Sequence, residues 1–83
     1  MKTDHIIQCI KDEISAIREF YPDARLVLKN IGSREHRAVE ILAVFKAEKW
    51  HAGIPLTSLH EGRGYEIKDI LDGLEFNHYY QIK

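Results

Sequence analysis

The chain has one cysteine, two prolines and no long apolar run, and each scarcity removes a class of protein. Cys9 stands alone, so no intrachain disulfide can form and a disulfide scaffold is excluded. No signal-like segment opens the sequence, and no stretch approaches the ~20 apolar residues that a bilayer requires. A soluble, cytoplasmic protein with no membrane partner is therefore expected. An excess of one charge sign is also missing, since twelve Lys and Arg oppose thirteen Asp and Glu for a net charge of -1. Acids and bases alternate along the chain, as in Lys11-Asp12-Glu13 and Glu66-Ile67-Lys68-Asp69. Nucleic-acid binders usually carry a basic excess or stripe. Nucleic acid is thus a disfavoured partner, and an acidic mimic of DNA is disfavoured equally.

Catalytic pairings are scarce as well. The histidines stand at positions 5, 36, 51, 60 and 78, and no two have the three- or four-residue spacing of helical metal ligands. His60-Glu61 begins like the zinc-protease helix motif, but the second histidine would fall at Gly64. No catalytic residue, metal or cofactor is expected. Cys9 falls within a helical pattern, where it reads as a small filler beside the core stripe.

What remains is ordinary globular composition, 45% apolar and 30% charged. Eighty-three residues make one small domain, 1–83, of marginal stability by itself, so dimerisation or a partner is in keeping with its size. Ile6, Ile7, Ile10, Ile14, Ile17 and Tyr21 recur at helical steps, which predicts an amphipathic helix over about residues 4–20 ended by Pro22. Thr3 or Asp4 supplies its cap. Leu26-Val27-Leu28 reads as a strand within 25–30. The run from Ala38 to Phe45 is ambiguous. Its Ala, Glu and Leu suit a helix, while Val39, Ile41, Val44 and Phe45 suit a strand. Strand is favoured, because the 26–29 segment needs a neighbour to satisfy its backbone groups, and a strand buried on both faces shows such a near-continuous run. Residues 47–64, with Gly53, Pro55, Gly62 and Gly64, read as irregular, apart from an optional helical turn at Thr57–Glu61. A second helix is predicted over 65–74 and a closing strand over 76–82.

These elements imply an α+β domain of two layers, with the N-terminal and C-terminal helices packed on a small antiparallel sheet. The alternative is a mostly α, winged-helix-like chain, which requires residues 38–51 to be helical. Its recognition helix, Tyr65 to Leu74, would offer mostly acids where bases call for Arg, Lys, Asn or Gln.

Three groups of residues are candidate sites. Gly62-Arg63-Gly64 combines permissive backbone, a bidentate cation and a following helix N-terminus, a pattern suited to phosphate or carboxylate. Arg25, Lys29, Arg34 and Arg37 gather around one loop and form the candidate nucleic-acid patch. Trp50, Tyr79 and Tyr80 are candidate interface aromatics. The functional expectation is a small non-enzymatic regulatory or interaction protein working through protein–protein contacts, including a homodimer. A nucleic-acid-associated regulator is the second reading, and an anion- or nucleotide-binding module the third.

Overall fold

Helical spacing of isoleucines builds the first element, α1, over Lys2–Arg18. Ile10 and Ile14 are buried, and Ile6, Ile7 and Ile17 pack half-buried beside them. Asp4 in the first turn and Arg18 in the last both suit the helix dipole. The helix stops two residues earlier than its pattern suggests. The amides of Phe20 and Tyr21 both donate to the Ile17 carbonyl, at 3.1 and 2.9 Å, and Arg18 Nε donates to the Ala24 carbonyl at 2.8 Å. Tyr21 therefore leaves the helical stripe. Cys9 is exposed rather than a core filler, with its Sγ 3.8 Å from His5 Nε2 one turn away. This computed structural model describes the backbone of residues 2–74 and 76–81 and the side chains of residues 3–74.

The ambiguous central run is a strand. β1 (Arg25–Asn30) and β2 (Ala38–Ala47) pair antiparallel, with Leu26 opposite Ala43 and Leu28 opposite Ile41. A helix over 38–51 is thereby ruled out, and the winged-helix alternative falls with it.

Three expectations need correction. The stretch expected to be irregular contains β3, Trp50–His60, antiparallel to β2 from Ala47 opposite Trp50 to Ala38 opposite His60. Gly53 and Pro55 mark an edge strand here, not a break, because an edge tolerates a residue with no N–H to give. A register shift between Ile41 and Leu42 leaves Leu56 as a bulge. The expected turn at Thr57–Glu61 is replaced by strand, and a short 3-10 turn follows at Glu61–Arg63. The second helix, α2, is only Ile67–Gly73.

The closing strand β4, Phe76–Gln81, pairs parallel to β1, so the sheet is mixed, in the order β3-β2-β1-β4. The three strands β1 to β3 form its antiparallel part. A parallel neighbour needs a long return path, and residues 61–74 contribute to it by carrying α2 across the sheet.

Both helices lie on one side of the sheet. Leu26, Leu28, Val39, Ile41, Ala43, Phe45 and Leu59 from the strands share one cluster with Ile10, Ile14, Ile67, Ile70 and Leu74 from the helices. Ile7 of α1 sits over Gly73 of α2, so the helices also touch each other. A smallest extent of 16 Å matches two layers spaced about 10 Å apart, not three. None of the described polar or charged side chains is buried.

Candidate functional site

The strand directions give the molecule two ends. At one end lie the α1–β1 turn and the β2–β3 hairpin tip. At the other lie the β1–β2 loop and the 3-10 turn after β3.

The first end is an apolar shelf. Tyr21 stacks on Phe45, with ring centroids 4.0 Å apart and planes inclined by 20°. Phe45 lies opposite Ala52 in the β2–β3 register, with Trp50 and Ile54 at the flanking positions of the same face. Phe20 is 79% exposed, Trp50 60%, Ile54 41% and Tyr21 39%. The turn is held by Asp23, whose Oδ2 accepts the Lys46 amide at 2.9 Å. β1 begins opposite Val44, so this carboxylate serves an amide that β1 does not reach. Exposed aromatics gathered on a rigid scaffold are what a partner's apolar surface would bury.

The second end is charged. The loop between β1 and β2 closes through Ile31 N to Ala38 O at 3.1 Å and Ser33 N to His36 O at 2.9 Å, while Asn30 Oδ1 accepts the Gly32 amide at 3.0 Å. The 3-10 turn is tied to it by Glu61 N to Arg37 O at 2.9 Å. Arg37 Nε stands 3.8 Å from Glu61 Oε2, with both side chains at least half exposed. Such a pair contributes little stability. Arg34, Glu35, His36, Arg37, Glu61 and Gly62 line a cleft of about 350 Å³. Its floor depends on Gly62, since a Cβ there would stand 2.7 Å from the His36 imidazole.

The sequence-level candidates are redistributed by this geometry. Arg34 and Arg37 share the cleft with Gly62, which joins two groups that are well separated in sequence. Arg25 opens β1 opposite Val44, and Lys29 lies opposite Glu40. At about 3.3 Å per residue along a strand, Arg25 is well removed from the loop arginines. The four cations therefore do not form one patch. Arg63 is exposed in the 3-10 turn, and Gly64 closes that turn with φ 88°. The following helix offers little to an anion. Glu66 occupies its N-cap position and Asp69 its first turn. The Glu66 carboxyl is raised above its ordinary 4.5 by a hydrogen bond with Asp69, then by the charges and partial desolvation around it, including Glu61. Among the described residues, no three His, Cys, Asp or Glu side chains come together as metal ligands.

Of the interface aromatics, Trp50 is on the shelf, while the side chains of Tyr79 and Tyr80 lie outside the described residues. Phe20, Tyr21 and Ile54 are shelf residues that sequence reasoning missed. The available signal was the alternation Trp50, Ala52, Ile54, Leu56, which marks one face of a strand. No protein-family model, curated protein or solved structure matches this chain. No helix among the described residues is long and apolar enough to cross a membrane.

Proposed function

We propose that this chain is a small, non-enzymatic interaction protein that acts through protein–protein contact, its first partner being a second copy of itself. The observation that carries this reading is the set of exposed large apolar side chains, Phe20, Tyr21, Trp50 and Ile54, at the end of the sheet where Tyr21 stacks on Phe45. Large aromatics dominate binding energetics when a partner desolvates them. The shelf's surroundings mix signs, with Asp23, Lys46, Glu48 and Lys49 close to it in the chain. Two copies related by a two-fold axis can therefore set opposite charges against each other. A core without buried polar groups among the described residues supports a structural role for the interior. The exposed free thiol of Cys9 suits a reducing, cytoplasmic setting. Sedimentation of the wild type and of Trp50→Ala tests the reading. Concentration-dependent dimers lost in the variant are expected. A strict monomer, together with failure of the immobilised chain to retain any protein, would count against it.

A second reading has its own observation, the convergence of Arg34, His36 and Arg37 on Gly62 in one cleft. It makes the chain a nucleic-acid-associated regulator or a phosphate-binding module. Retention on RNA or DNA that falls with salt would favour the first form. Chemical-shift changes confined to residues 60–66 on adding inorganic phosphate would favour the second. Absence of both at low salt removes this reading.

A further inference from the structure

β3 and β4 are the edges of the sheet, and β3 is the longer, 11 residues against 6. An edge strand presents unpaired backbone groups, which proteins guard with charged side chains, proline or bulges. The chain is 30% charged, yet β3 carries no Asp, Glu, Lys or Arg between Lys49 and Glu61. Its guards are Pro55 and the bulge at Leu56, which leave the stretch from Trp50 to Ile54 open. Every residue of that stretch except Ala52 is exposed.

The hairpin fixes where each backbone group of this stretch points. Glu48 and Lys49 form a two-residue turn, closed by Ala47 opposite Trp50. The residues that close such a turn are a hydrogen-bonded pair, and bonded and non-bonded pairs alternate from there. Trp50, Ala52 and Ile54 therefore bond to β2, while His51 and Gly53 aim their N–H and C=O groups away from the sheet. Pro55 falls on the same outward series, so its missing N–H takes nothing from the ladder with β2.

We propose, resting on the dimer reading above, that Trp50 to Ile54 pairs antiparallel with the same stretch of a second copy, about a two-fold axis at Ala52. In this register His51 lies opposite Gly53 of the other copy, and the two exchange both of their outward backbone bonds. The neighbouring registers fail. Centring on Gly53 sets His51 opposite Pro55, which has no N–H to give. Centring on His51 sets Gly53 opposite Lys49, which is committed to the turn. The side chains match as well. Trp50 stands opposite Ile54 of the other copy on the face that carries Phe45, so each shelf covers part of the other. On the opposite face the His51 imidazole lies over a glycine, and at the axis alanine meets alanine. No like charges meet, because the stretch contains no Lys, Arg, Asp or Glu. A strand of another protein would meet the same limit at Pro55 without the reciprocal match of Trp50 to Ile54. The seam joins the two four-stranded sheets into one.

The test is amide hydrogen exchange on the whole chain, at a concentration where sedimentation gives the dimer mass. The His51 and Gly53 amides are expected to exchange as slowly as those of Ala52 and Ile54. Gly53→Pro removes an outward N–H, and a Cβ there meets Leu42 and Val44 at 3.7 and 3.9 Å, ordinary contact distances. This variant should keep the dispersed spectrum of the fold, lose the dimer, and exchange its His51 amide at least about tenfold faster. Ala52→Cys in a Cys9→Ser background needs no proline to be tolerated. Opposed residues of that pair type stand about 4.5 Å apart at Cα, inside the range of about 4.4–6.8 Å that a disulfide requires. Mild oxidation should link it into a covalent dimer, whereas Ser58→Cys in the same background should not link. A dimer whose His51 and Gly53 amides exchange freely, and in which Ala52→Cys does not link, overturns the β3 seam and leaves the shelf dimer standing. A dimer that folded Gly53→Pro leaves intact, or equal linking by Ser58→Cys, overturns the seam as well. A strict monomer overturns both.

Discussion

A methyl group at position 32 would overlap the His36 carbonyl oxygen and the Ala38 amide nitrogen. Both are backbone atoms, fixed by the loop's own hydrogen bonds, so the loop must deform to accept it. Gly32→Ala is expected to cost about 2–3 kcal/mol, read as a lower urea midpoint with an unchanged m-value. Gly62→Ala meets only the exposed His36 ring, which can swing aside, and should cost less than ~1 kcal/mol. Equal losses from both would contradict this account of the loop. Glu66 gives a second prediction at this scale. Its carboxyl is raised above 4.5, first by its hydrogen bond with Asp69, so the folded state holds its proton more tightly than the unfolded chain does. This group therefore favours folding most where it is protonated, and that contribution is lost as pH rises above 4.5 through the raised value. Glu66→Gln should raise the melting temperature at neutral pH and leave it nearly unchanged at pH values below the ordinary carboxylate range. A lower melting temperature at neutral pH would refute the assignment.

Elements differ in how plainly the chain encodes them. α1 was legible because five isoleucines sit at helical steps. β2 was legible as strand only through the need of β1 for a partner, since its composition serves either state. β3 was hidden twice. Gly53 and Pro55 mimic a loop, and the β2–β3 turn lacks the glycine or asparagine that announces a hairpin. That turn places Glu48 at φ 56°, a conformation costly to a residue with a Cβ. Glu48→Asn is expected to stabilise the protein by about 0.5–1 kcal/mol, measured by chemical denaturation. Destabilisation would mean that the Glu48 side chain makes a contact worth more than the strain. The orientation of β4 could not be read either, because a strand pattern carries no direction. Its parallel pairing follows from α2 returning the chain to the far end of the sheet. At the centre of that sheet, Ile41 is fully buried. Ile41→Ala should cost about 2–5 kcal/mol, against less than ~0.5 for Cys9→Ser on the exposed side of α1.

At the scale of the whole molecule, one sheet carries a helical layer on one face and has two chemically distinct ends. The candidate sites were legible as residue types but not as groupings. Trp50 stands out in the sequence as a candidate interface aromatic, whereas the stacked pair of Tyr21 and Phe45 comes from segments that only the fold brings together. Arg25 and Arg34 are near each other in sequence, yet an extended strand holds them apart. Gly62 and Arg37, distant in sequence, meet because β3 ends beside the start of β2. The central claim is that the aromatic shelf is a protein-contact surface that two copies bury together. Trp50 is the only tryptophan and is 60% exposed, so its fluorescence reports on the shelf without a label. The decisive measurement is its emission wavelength from about 1 μM to about 1 mM protein, with molecular mass followed in parallel. A shift to shorter wavelength that tracks dimer formation is predicted. Emission that stays at the water-exposed wavelength, with a single monomeric mass up to the highest concentration, would contradict the claim.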